Sequence, residues 1–72
     1  MRCELNFFWD EDDAVDVIET LYRMAFNQKE DLIIVINNET YTIPVWLNKD
    51  LRVKKARGIY RRYAKSPNWG KS

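Results

Sequence analysis

Histidine is missing from this 72-residue chain, and cysteine occurs once, at Cys3. Without histidine, a Ser-His or Cys-His nucleophilic pair cannot be assembled, and the only serines, Ser66 and Ser72, lie at the very end of the chain. Zinc sites of the usual Cys/His kind are excluded by the same inventory. A lone cysteine forbids an intrachain disulfide, and a small chain without that staple reads as cytoplasmic. The two glycines, Gly58 and Gly70, leave no Gly-rich phosphate loop. No apolar run approaches the roughly 20 residues that cross a bilayer. Nor does the start read as a signal peptide, since Glu4 and Asn6 break the apolar run and Asp10, Glu11, Asp12 and Asp13 follow. An enzyme would have to run on carboxylates alone. The expectation is therefore a non-enzymatic protein that needs no cofactor and has no membrane partner.

What remains is rich enough to fold. Hydrophobic residues make up 46% and aromatics 14% of the chain, well above the composition of disordered segments. The length suits one small domain, expected over residues 1–66, with a flexible tail over 67–72. Cys3, Leu5, Phe7 and Trp9 alternate with Glu4, Asn6 and Phe8, the period-2 pattern of a half-buried strand over 3–9. The period then lengthens. Ala14, Ile18, Leu21, Tyr22 and Ala25 form one stripe of a helix over about 11–27, with Asp10 as its N-cap.

Leu32 to Ile36 is a continuous aliphatic run, β-branched from Ile33 onward, suited to a strand buried on both faces at the centre of a sheet. Asn37-Asn38 suits a tight hairpin turn, because asparagine tolerates the left-handed backbone conformation. A third strand follows over about 39–45, where Pro44 marks an edge or an end. Asn48 caps a helix over about 49–65, which stops before Pro67. The order β-α-β-β-α implies a small α/β domain of the α+β type. Its three-stranded sheet would carry two helices, with the first two strands parallel and the last two antiparallel.

Charge is unevenly distributed. Residues 1–48 hold ten acids against Arg2, Arg23 and Lys29, whereas residues 49–65 hold eight Lys or Arg and a single acid, Asp50. The net charge of +1 hides this polarity. On the second helix Lys54, Lys55, Arg57, Arg61, Arg62 and Lys65 gather opposite the apolar stripe. Such a face attracts polyanions, because neutralising phosphates releases condensed counterions. These six residues are the candidate contacts to DNA or RNA, with Arg57 and Arg61 best suited to bidentate groove contacts. Tyr60 and Tyr63 share the stripe of Val53 and Ile59 and are assigned to the core.

The acids Asp10, Glu11, Asp12, Asp13 and Asp16 fail as a calcium loop, since Val15 and Leu21 stand where glycine and glutamate are required. No metal site is expected. An alternative function uses a host protein as the partner, as in small regulators or inhibitors of mobile-element, phage-like type. Asp12, Asp13, Asp16 and Glu19 would then form a negative surface, with Phe8, Trp46 and Trp69 as apolar anchors. A homodimer pairing opposite poles is a further expectation. Cys3 is assigned to packing.

Overall fold

The computed structural model describes residues 1–65. Its elements are β1 (Arg2–Leu5), α1 (Glu11–Asn27), β2 (Leu32–Ile36), β3 (Glu39–Ile43) and α2 (Lys49–Lys65). The sheet order is β1-β2-β3, with β1 parallel and β3 antiparallel to β2. The β-α-β-β-α order, the central β2 and the hairpin all follow the sequence pattern. The tail over 67–72, with Trp69, lies outside the described residues.

Both helices pack on one face of the sheet. Leu32, Ile34 and Ile36 of β2 and Ile43 of β3 are fully buried there against Ala14, Ile18, Tyr22 and Ala25 of α1 and Ala56, Ile59 and Tyr63 of α2. The opposite face has no helix. Ile33 and Val35 are therefore half-buried rather than enclosed on both sides. Arg2 and Thr42 flank Ile33, and Glu4 and Thr40 flank Val35, all four exposed. The continuous aliphatic run concealed an alternation that only the packing reveals.

β1 is shorter than its alternating pattern, which extended to residue 9. Its last pair is Leu5 with Ile36, and the chain of β2 turns immediately afterwards, so residue 6 onward has no ladder partner. Freed from the sheet, the chain changes phase. Phe8 enters the core at 4% exposure, edge-on to Tyr63 at 5.4 Å and 6.4 Å from Tyr60. Phe7 and Trp9 are exposed, the reverse of the alternation, and their rings meet edge to face at 5.1 Å.

Local chemistry fixes the ends of the elements. At the start of α1, Asp10 Oδ1 accepts from the Asp13 backbone N–H at 2.7 Å, and Asp13 Oδ2 accepts from the Trp9 N–H at 3.0 Å. The first bond satisfies an orphan donor at the positive end of the helix dipole, and the second ties the residue before the cap back to the first turn. α1 ends with Lys29 at φ 57°, where Lys29 N–H donates to Phe26 O and Glu30 N–H to Ala25 O, both at 3.0 Å. That pair of bonds is a Schellman motif built on lysine rather than glycine. Asn37 and Asn38 both have positive φ, 53° and 65°, as a type I′ hairpin turn requires.

A second set of bonds seats α2. Tyr22 Oη donates to Val45 O at 2.5 Å, and Asp31 Oδ1 accepts from Val45 N–H at 2.9 Å, so the linker leaving β3 is held from both sides. Asn48 Oδ1 accepts from the Leu51 N–H at 3.0 Å and caps the helix. Glu11 lies near Arg57 and Arg61, while Glu19 lies against Arg52. The two helices are therefore antiparallel.

Candidate nucleic-acid interface

The outer face of α2 exists because its inner face is committed. Ala56, Ile59 and Tyr63 recur at helical spacing and are buried, which leaves Lys49, Lys54, Lys55, Arg57, Arg61, Arg62 and Lys65 exposed. The structure thus places all six predicted contacts on the accessible side of one helix. They form two banks. Lys54, Arg57 and Arg61 line a shallow hollow with Asp50 on the side toward α1, and Lys55 and Arg62 line another with Tyr41 on the side toward β3.

The three arginines have carboxylate neighbours that the sequence distribution did not reveal. Arg57 Nε is 3.4 Å and Arg61 Nη2 4.0 Å from the same Glu11 Oε1, and Arg62 Nε is 3.8 Å from Glu39 Oε2. The arginines are exposed and the two carboxylates half-exposed, so each pair contributes little, about 0–1 kcal/mol, and can exchange for a phosphate. Lys54, Lys55 and Lys65 have no carboxylate within ion-pair distance among the described residues.

Arg52 behaves differently from every other cation of α2. Its Nε donates to Glu19 Oε2 at 2.9 Å, its Nη1 to Leu47 O at 2.7 Å, and its guanidinium carbon lies 3.9 Å over the Tyr22 ring. It is half-buried. Arg52 is therefore a structural clamp between α1, α2 and the preceding linker. No sequence signal separates it from its neighbours except its place on the inner side of the helical wheel.

Glu39 serves two groups. It accepts a hydrogen bond from the Tyr41 hydroxyl and faces Arg62. Partial burial first, then the Glu39 carboxylate, pushes the Tyr41 phenol above its ordinary value, while Arg62 opposes the shift. No group of three His, Cys, Asp or Glu side chains is placed to hold a metal ion among the described residues.

The predicted acidic residues share one side of α1, but two of the four are engaged. Asp12 and Asp16 are exposed one turn apart on α1, Asp13 is engaged at the helix cap, and Glu19 is bonded to Arg52. Phe8 lies in the core and holds its loop rather than offering an interface. Trp46 is 77% exposed in the linker before α2, while Trp69 is outside the described residues. Sequence reasoning missed Trp9, 78% exposed, and Phe7 as surface aromatics. The available signal was the hairpin turn at Asn37, which limits how far β1 can pair.

No helix among the described residues is long and apolar enough to cross a membrane. No family model, curated protein or solved structure matches the chain.

Proposed function

We propose that this chain is a small non-enzymatic module that binds nucleic acid in the cytoplasm through the outer face of α2. The observation that carries the reading is the concentration of six exposed cations on the outer side of one helix, where among the described residues the neighbouring carboxylates are Asp50, Glu11 and Glu39. Lys54, Lys55 and Lys65 would meet phosphates with no internal ion pair to break, and Arg57, Arg61 and Arg62 would exchange weak pairs for phosphate contacts.

The test is fluorescence anisotropy of single- and double-stranded oligonucleotides at about 50 and about 200 mM salt, where a multi-cation phosphate interface loses orders of magnitude in affinity. The sharper variant is the triple change Lys54→Gln, Lys55→Gln and Lys65→Gln. Changing the three arginines instead would also release Glu11 and Glu39 as free acids and confuse the result. The lysine variant should lose about tenfold or more in affinity and show a shallower salt dependence. Equal affinity in the variant would dismiss the α2 face as the contact.

A second reading, a protein partner, is favoured by the exposed Phe7, Trp9 and Trp46, since aromatics are enriched at interface anchors. Wild-type protein that binds no oligonucleotide at low salt would transfer the assignment to that reading.

A further inference from the structure

Gly58 occupies the tenth residue of the 17-residue helix α2 among the heaviest charge in the molecule. Glycine in a helix interior costs about 1 kcal/mol relative to alanine, and here nothing in the fold demands it. Its φ is not in the left-handed region, and a Cβ built at this position meets no atom within 4 Å. The position is open, so the missing side chain relieves no internal crowding.

Its surroundings are specific. On an α-helix the surface neighbours of a residue are those three and four positions away in each direction, about 5–6 Å distant between Cβ atoms. For Gly58 those four are Lys54, Lys55, Arg61 and Arg62. All four are cationic and all four are exposed. The two banks described above meet across this notch, with Gly58 itself in the floor of the hollow formed with Tyr41, Lys55, Ile59 and Arg62.

We propose that the notch at Gly58 is the seat of one backbone phosphate of the nucleic acid, which approaches the helix surface as closely as the missing Cβ allows and is held by the four surrounding cations. This inference rests on the nucleic-acid reading of α2 and adds a location to it. The gain is electrostatic and geometric together. A tetrahedral phosphate presents oxygens on several sides, and cations from both banks reach it only if it sits low between them. A side chain at position 58 would lift the phosphate and lengthen every contact. The glycine's cost in helix stability is then offset by binding.

That account predicts opposite signs for stability and affinity. Gly58→Ala raises the thermal midpoint, because the helix gains and no clash results. The same variant binds oligonucleotide about three- to tenfold more weakly, and Gly58→Leu, which fills the notch further, about tenfold or more. Both are measured against the Lys54/Lys55/Lys65→Gln variant at one salt concentration. If the lysine variant loses affinity while Gly58→Ala and Gly58→Leu bind like wild type, the notch is not the seat and the α2 reading survives. If wild type binds no oligonucleotide at all, both fall. Weaker binding by Gly58→Ala, from a protein that melts higher, is the supporting result.

Discussion

Arg52 shows how little a residue's charge says about its role. It is one of eight Lys or Arg residues between positions 49 and 65. Only this one is half-buried, joined to Glu19, hydrogen-bonded to Leu47 O and stacked on Tyr22. Replacing it with alanine removes the clamp and leaves Glu19, itself partly buried, without its cation. Arg52→Ala should therefore destabilise the fold by about 2–3 kcal/mol in urea unfolding. Lys55→Ala, an exposed cation on the same helix, should stay within about 0.5 kcal/mol of wild type. Equal effects of the two would mean that the Arg52 network contributes no more than a surface charge. Lys29 makes a related point from the backbone side. A lysine in the left-handed region at the end of α1 satisfies the Schellman bonds, but nothing in the sequence distinguishes it from an ordinary surface lysine.

At the level of elements, the parts with strong local signals were legible. Both helices begin at the expected caps, Asp10 and Asn48, and the buried stripes of α1 and α2 fall on the predicted positions. The Asn37-Asn38 turn likewise needs only local chemistry. β1 was misjudged because a strand's length depends on its partner. Alternation over 3–9 suggested seven residues, but β2 supplies partners only as far as Ile36. Past that limit the side-chain phase is set by what the loop packs against, here Tyr60 and Tyr63 of α2.

Stability measurements on the loop test this assignment. Phe8→Ala should cost about 3–5 kcal/mol, the usual range for emptying a buried phenylalanine site. Phe7→Ala, which loses only its exposed contact with Trp9, should cost less than about 1 kcal/mol. If β1 instead continued in phase through residue 9, the ranking of the two substitutions would reverse. The six cations of the candidate site were legible for the same reason as the helices, since a periodic stripe fixes which side is outside. The carboxylates opposite them were not, because Glu11 and Glu39 come from other elements.

Across the whole molecule, segregation of charge along the chain is offset in space where the two helices meet. Antiparallel packing of α1 and α2 brings the acidic first half of the chain against the basic last third. Glu11 faces Arg57 and Arg61, and Glu19 faces Arg52. This packing makes Glu11 an internal competitor for the phosphate contacts proposed on α2. Because the arginines of the Glu11 pairs are exposed and the separations are 3.4 and 4.0 Å, removing the pairs should alter stability by less than about 1 kcal/mol. Glu11→Gln would nevertheless free two arginines and raise the local positive potential. Oligonucleotide affinity should then rise about two- to tenfold at low salt, with a steeper salt dependence, because more cations are available to displace counterions. The direction is diagnostic, since a partner that docks through the acidic end of α1 would bind the same variant less tightly. An affinity that rises for nucleic acid while the unfolding midpoint barely moves would identify Glu11 as a restraint on binding rather than a support of the fold.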